Sequence, residues 1–346
     1  MQSTTIDHMP TASVIICNYN GHKYLPACLC AVMRQHLVGG FEVILVDNCS
    51  TDDSVEYVQH EWPTVTILRA DRNLGFAAGN NLGIRHARGK YIVLLNNDTT
   101  VHEGWLAALV NTAESDSTVA AVTSKIVYMG RPDIIQNAGG LLLTDGSGAD
   151  RGFGEHDKGQ YDHQEEVFGA CGCAVLYRRE ALADVGLFDE SFFCYYEDMD
   201  LNWRLRLRGW RVVYQPAAMV EHLHAGTSVE WSPFFLFHAE RNRIFMVVKN
   251  APLRMVLTTL YRFARLLLTY VFVALQRRLR KGAGSGAIAP GLSRVRVYLD
   301  IAMSVTRHLP HLMVQRLRIR RTRRLPDREI QRWLFPKERW DERFAR

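Results

Sequence analysis

The sequence predicts an α/β protein: a mostly parallel sheet flanked by helices, with a helical basic extension at its C-terminal end. Two observations predict the sheet. Short apolar runs alternate with helix-length segments through the first hundred residues. The runs are nearly continuous in apolar residues, as strands covered on both faces must be, whereas a sheet with one wet face alternates polar and apolar. The extension is predicted by charge. Residues 1–250 hold 20 Lys+Arg and 30 Asp+Glu, net −10, while residues 251–346 hold 22 and 6, net +16.

The elements follow in order. Residues 13–17 form a first strand ending at the turn-rich Asn18-Tyr19-Asn20-Gly21, and a helix is predicted from about Leu25 to His36. Residues 41–46 form a second strand ending at Asp47-Asn48, and Ser50 to Asp53 offer cap and first-turn signals for a helix through Gln59. Val65 to Leu68 precede the loop Asp71-Arg72-Asn73-Leu74-Gly75-Phe76, a helix is expected over Ala77 to Ala87, and the strand from Tyr91 runs into Asn96-Asn97-Asp98. Ligands collect at the carboxyl ends of parallel strands, where Asn18, Asp47 and Asp98 converge. Residues 130–165, rich in Gly, Asp and His, read as an excursion or mobile loop. A strand returns over Val167 to Tyr177, followed by a short helix from Arg179 to Val185. A carboxylate cluster, Glu197, Asp198 and Asp200, precedes a helix from Leu201 to Arg208 that Gly209 stops. Arg211 to Tyr214 is a last strand, ending before Pro216, with His222 beyond it.

The chain can bury a large core at 346 residues, 47% of them hydrophobic. Seven cysteines, an odd number, fit reduced thiols better than a disulfide framework, and Cys171-Gly172-Cys173 lacks the second pair a zinc site needs. No charged and then apolar N-terminal segment marks a signal peptide, so the cytoplasmic side is expected.

Five segments, Val14 to Gly21, Val46 to Asp52, Asn73 to Phe76, Leu94 to Asp98 and Tyr196 to Arg204, together resemble the pattern of glycosyltransferase family 2 on a GT-A fold, in order and spacing over about residues 12–230. Within that family the chain is most similar to bacterial rhamnosyltransferase-like enzymes of cell-surface polysaccharide assembly. The resemblance implies an inverting transfer of a sugar from a nucleoside-diphosphate donor to a glycan or polyprenyl-linked acceptor. It implies Mg²⁺ or Mn²⁺ held by Asp98 and His222, with His224 as competitor for the second place. The family usually carries Asp-x-Asp where this chain has Asn96-Asn97-Asp98, so one acidic ligand is missing. Asn18, Tyr19, Asp47, Arg72 and Asn97 are the implied nucleotide-binding residues: Asp47 for base or ribose, Tyr19 as a ring face, Arg72 for the diphosphate. Asp198 is the implied general base, Glu197 its neighbour at the acceptor, and Asp200 reads as the cap of the following helix. Without the resemblance, Asp98 and Asp47 read equally well as turn or helix-capping residues, Arg72 as a solvated loop arginine and His222 as part of a surface pair.

A helix connecting 231–250 precedes the basic extension 251–346. Arg254, Thr258, Arg262, Arg265, Thr269 and Gln276 recur at helical spacing through the apolar stretch Met255 to Leu275. That polar stripe favours a helix lying on an anionic membrane surface over one crossing it, with Arg277 to Lys281 and Arg316 to Arg324 as further basic clusters and 282–289 as a hinge. Nucleic acid is not expected, because the tail lacks stacking aromatics and the body is acidic. Intramolecular packing and a homo-oligomer contact remain as other uses of the tail. Two competing functions stay open: a nucleotidylyltransferase, which would normally show a Gly-rich, Arg/Lys-bearing loop after the first strand, and a membrane-recruited scaffold that binds nucleotide sugar without turnover.

Overall fold

The computed structural model describes residues 9–223, 232–281 and 290–343; His224 and the hinge 282–289 lie outside them, as do the side chains of the basic run 277–281. In chain order the elements are β1 (Ala12–Asn18), α1 (Leu25–Met33), β2 (Phe41–Asp47), α2 (Ser54–Glu61), β3 (Thr66–Arg69), α3 (Gly75–His86), β4 (Tyr91–Asn96), β5 (Thr99–Val101), α4 (Trp105–Ser115), β6 (Val119–Tyr128), β7 (Arg131–Asn137), β8 (Gly140–Leu143), β9 (Gly148–Asp150), β10 (Glu165–Glu166), β11 (Ala174–Arg178) and α5 (Arg179–Val185). A 3₁₀ turn at Glu190–Phe192 then leads to α6 (Glu197–Leu207), β12 (Arg211–His222), α7 (Pro233–Asn250), α8 (Leu253–Lys281), α9 (Pro290–Thr322), α10 (Asp327–Gln331), β13 (Leu334–Phe335) and α11 (Lys337–Asp341).

The main sheet runs β10–β12–β6–β11–β4–β1–β2–β3, with β5 on β12 and β7 on β6. Its β3–β2–β1–β4 half is parallel throughout, and β11 enters antiparallel between β4 and β6. Both faces of that half are buried, which explains the continuous apolar runs. Val14 and Ile16 of β1 pack with Leu25, Val58 and Trp105 on one side, while Ile15 packs with Ala77, Ile84 and Leu201 on the other.

Four expectations are corrected. Residues 130–165 are a loop only in their second half: β7, β8 and β9 occupy most of 131–150, while 151–164 hold turns and a single isolated bridge, His156 to Ile134, and β8 also receives β13 from the far end of the chain in parallel, Leu334 opposite Leu142. The last strand does not stop before Pro216. It runs from Arg211 to His222 because Pro216 falls at a register irregularity between Gln215 and Met219, where a missing N–H is tolerated. The helix expected from Leu201 begins four residues earlier, at Glu197. Half of the cluster Arg316 to Arg324 is occupied internally, while Arg318, Arg321 and Arg324 stay exposed. Arg316 and Arg320 donate to the Val248 and Ala251 carbonyls at the C-terminus of α7, and Arg320 and Arg323 bind Asp327.

The C-terminal helices share a core with the helix before them. Ile244, Phe245, Val247 and Val248 of α7 pack with Tyr298, Ile301, Leu312 and Ile319 of α9, and with Val256 and Phe263 of α8. The opposite stripe of α8 keeps Leu253, Leu257, Tyr261, Leu268, Phe272 and Leu275 exposed, beside exposed Arg254, Arg262 and Arg265. The 24-residue span Leu253–Gln276 is long and apolar enough to cross a membrane, and little of it is buried.

Candidate functional site

Parallel pairing brings the predicted strand tips together. Asn18 lies opposite Asp47, and Cys17 opposite Asn96, so β1, β2 and β4 end level with one another. Asn97 donates to Asn18 Oδ1 at 2.7 Å, Asn18 donates to Ser50 Oγ at 3.3 Å, and Asp47 Oδ1 accepts from Ser50 N at 3.2 Å. Gly21 is required where it stands, because a Cβ there would lie 2.1 Å from Asn97 Nδ2. Tyr19 is 44% exposed, its ring at the surface. Arg72 is exposed, with Asp71 as its described ion-pair partner at 3.4 Å. A residue the sequence reading missed, Asn48, ties this edge to the next loop: it donates to Asn73 Oδ1 and the Gly75 carbonyl and accepts from Leu74 N. Its position directly after Asp47 was the available signal.

Asp98 and His222, far apart in sequence, meet because β5 pairs antiparallel with the end of β12, His222 opposite Thr99. His222 Nε2 faces Asp98 Oδ1 at 3.2 Å, and His222 Nδ1 bonds Gln136 Oε1 at 2.9 Å. An imidazole that donates from Nδ1 has a lone pair at Nε2. A lone pair facing a carboxylate calls for positive charge between them, a proton or a metal cation. The donor set, one carboxylate and one imidazole with an oriented outer partner, fits a divalent cation that takes its other ligands from phosphate oxygens and water. Among the described residues no group of three or more His, Cys, Asp or Glu side chains gathers as a fuller metal site. Gln136 lies on β7, within the stretch read as loop, so no sequence pattern pointed to it.

The carboxylate pair sits on the first turn of α6. Asp198 Oδ2 accepts from Gly172 N at 3.0 Å and Oδ1 from Met199 N at 2.7 Å. Burial raises its carboxyl above the usual range against these backbone bonds. Glu197 is raised well above its ordinary value, first by burial and then by the Asp198 charge, and its Oε2 is buried with no hydrogen-bond partner. The more favourable ionisation therefore falls on Asp198, a carboxylate able to accept a proton. Cys173 O accepts from Asn96 N at 2.8 Å, so the Gly172 loop carrying Asp198's partner adjoins the strand tip before Asp98. Burial pushes the Cys171 and Cys173 thiols well up, which suits packing rather than nucleophilic chemistry. Asp200 is not a cap. It is fully buried and binds Arg204, Lys249 and Asn250 at 2.8 to 2.9 Å, fixing α6 to α7.

The backbone around the site is strained. Asn20, Cys49, Phe193, Tyr195 and Tyr196 are the non-glycine residues with positive φ among those described, and all lie in loops that border the site. Each such residue costs about 1–3 kcal/mol and persists only where its surroundings hold it.

The chain matches the family model "Glycosyl transferase family 2" over residues 13–186. It is 28% identical over 194 residues to the pre-mycofactocin glycosyltransferase of Mycobacterium tuberculosis, covering 56% of this chain and 39% of that protein. It is 27% identical over 239 residues to the N-acetylglucosaminyl-diphospho-decaprenol L-rhamnosyltransferase of the same species, covering 61% of this chain and 78% of that one. The chain thus spans well under half of the mycofactocin relative's length. Its fold is similar to that of GalNAc-T7 with UDP, GalNAc and Mn²⁺, at TM-score 0.59 and 16% identity over 88% of this chain and 59% of that one. The mannosyltransferase PcManGT from Pyrobaculum calidifontis, in complex with GDP-Man and Mn²⁺, aligns at TM-score 0.50 and 17% identity over 88% of both chains. At such identities the likeness concerns the GT-A fold.

Proposed function

The chain belongs to glycosyltransferase family 2, and we propose that it is an inverting, metal-dependent enzyme of cell-surface polysaccharide synthesis. It moves a sugar, rhamnose being the first candidate, from a nucleoside-diphosphate donor to a glycan or polyprenyl-linked acceptor. The observation that carries this reading is Asp198: a half-buried carboxylate, held by two backbone N–H groups, one loop away from Asp98 and His222. Asp198 takes the proton of the acceptor hydroxyl. The hydroxyl oxygen bonds to the anomeric carbon from the face opposite the diphosphate, the bond to the diphosphate oxygen breaks, and configuration inverts. Asp98 and His222 would hold Mg²⁺ or Mn²⁺, which when bound neutralises charge on the departing diphosphate. Asn18, Tyr19, Asp47 and Asn97 bind the nucleoside. Arg72, exposed on its loop, meets the diphosphate only if that loop turns inward over the donor.

The same reading gives the exposed stripe of α8 a partner. Six apolar side chains from Leu253 to Leu275 cover about 33 Å of helix at 1.5 Å per residue, beside three arginines with no described ion pair. That is the pattern of a helix lying in an anionic lipid interface. We therefore assign the enzyme to the cytoplasmic face of the membrane, where a polyprenyl-linked acceptor would be presented. Calorimetric titration with UDP, dTDP and GDP, each with and without Mn²⁺, tests the donor half. Metal-dependent binding of one nucleotide is the expected result. Binding of none by the folded protein would overturn the reading in favour of ordinary turn residues at the strand tips.

A further inference from the structure

We propose that Asn242 and Arg241 of α7 are positioning residues that hold the loop 192–196 in its left-handed form and so aim Asp198; the functional part of this rests on the transfer reaction proposed above. The loop has an unusual path. Phe193 adopts φ 66° and ψ −68°, and Cys194 N donates to Phe192 O at 2.8 Å, a γ-turn of the rare positive-φ hand. Tyr195 and Tyr196 follow at φ 70° and 69°, and α6 starts at the next residue, Glu197. Three bulky aromatic residues in the region L side chains avoid do not stay there unaided.

The structure supplies the aid from one place. Asn242, fully buried, directs its Nδ2 at three carbonyl oxygens, Phe192 at 2.9 Å and Cys194 and Tyr195 at 2.8 Å. Its Oδ1 accepts from Arg241 Nε at 2.9 Å, which fixes the amide's orientation. Arg241 Nη2 donates to Ser191 O at 3.0 Å and Phe192 O at 2.8 Å. This guanidinium is 7% exposed and has no carboxylate partner among the described residues; it lies over the rings of Phe237 and Phe245 instead. A buried cation held by two backbone carbonyls and the side chains of Asn242 and His238, with no carboxylate described beside it, is a costly arrangement for packing alone. On its other side the same loop meets the donor half of the site. Phe193 O accepts from Ala77 N at 3.1 Å, and a Cβ on Gly75 would lie 2.5 Å from that oxygen. One amide thus governs the path joining the donor loop at 73–77 to the carboxylate at 198.

The test compares Asn242→Ala with the double variant Asn242→Ala/Tyr195→Gly, since glycine adopts positive φ without steric cost. Using whichever nucleoside-diphosphate sugar the wild type turns over, Asn242→Ala should lower kcat at least a hundredfold while nucleotide affinity stays within about threefold, and the added glycine should restore kcat at least tenfold. Amide hydrogen exchange over 192–200 should rise at least tenfold in the single variant and fall back in the double. Unchanged kcat and exchange in Asn242→Ala would overturn the proposal, as would parallel loss of nucleotide affinity and turnover with no recovery in the double variant. If the wild type turns over no donor, the transfer reading fails, and the exchange measurement alone then decides whether Asn242 holds the loop.

Discussion

Replacing Lys249 with Met tests how α6, the helix that carries Asp198, is fixed. Lys249 Nζ is 1% exposed and lies 2.7 Å from Asp189 and 2.9 Å from Asp200. The substitution keeps the volume and removes the charge, leaving two carboxylates that are 10% and 0% exposed facing a thioether. Breaking a buried pair by removing one partner costs about 3–5 kcal/mol. Asp200 keeps Arg204 and Asn250, and Asp189 keeps Ser191 and His311, so the lower end applies, about 3 kcal/mol. At about 2.1 cal/mol/K per residue the unfolding entropy of 346 residues is about 0.7 kcal/mol/K, so Tm should fall by about 4 °C. The pH dependence has a definite sign. Burial raises the Asp189 carboxyl, but the Lys249 ammonium outweighs it and holds the group well below its usual range. A depressed carboxyl contributes stability that is present above its unfolded value, near 4, and lost as pH falls through the folded value. The gap between wild type and variant should therefore be full at pH 7 and narrow below about pH 4. Adding Asp200→Asn to Lys249→Met should recover part of the loss. Scanning calorimetry between pH 3 and 8 reads all of this, and a Tm within 2 °C of wild type at pH 7 would refute the argument.

Further outcomes follow from the same geometry. Glu197 is raised, so its contribution is complete below its unfolded value near 4.5 and is lost at about 1.4 kcal/mol per pH unit as pH rises toward the folded value. Glu197→Gln should be more stable than wild type at pH 7 and converge with it below pH 4.5, and parallel melting curves across that range would contradict the buried charge. His222→Ala should abolish the Mn²⁺ dependence of nucleotide binding, whereas an undiminished Mn²⁺ effect in calorimetry would remove His222 from the cation site. Replacing Leu257, Leu268 and Phe272 of α8 with Ser should release the protein from anionic vesicles in a flotation assay, as should raising salt, which screens the arginines beyond about 10 Å at 0.1 M. Undiminished flotation would sink the interfacial role of α8.

The parallel half of the sheet was legible because its physics is local. The runs at β1, β2 and β4 are apolar on both faces, and each ends in polar residues that cannot continue into a core. That pattern alone places Asn18, Asp47 and Asp98 at one edge of the sheet; the roles proposed for them, and for Tyr19 and Asn97, came from the family resemblance. What sequence hid depends on contacts far along the chain. β7 opens on Arg131-Pro132-Asp133 and pairs with β6 through register shifts, β8 is only four residues long, and it is completed by β13, almost two hundred residues later, so their pattern resembled a loop and Gln136 was lost with them. The start of α6 was missed because Tyr195 and Tyr196 enter it left-handed, a conformation that aromatic residues do not advertise and that Asn242 imposes from another helix. Asp200 looked like a cap because acidic residues favour helix starts, and only the packing of Lys249 and Asn250 reveals its buried role. The positive tail suggested one job, yet Arg316 and Arg320 serve the end of α7, while Arg254, Arg262 and Arg265 of α8 stay exposed.

Asp198 is the residue on which the proposed transfer depends most directly. Turnover and nucleotide binding should be measured side by side for wild type and Asp198→Asn, with Mn²⁺ and a lipid-linked acceptor. Loss of a general base costs about 10²–10⁴-fold in rate, so kcat should fall by that range while nucleotide affinity holds and the wild-type product carries inverted anomeric configuration. Transfer at the wild-type rate by Asp198→Asn, or a product of retained configuration, would contradict the proposed transfer.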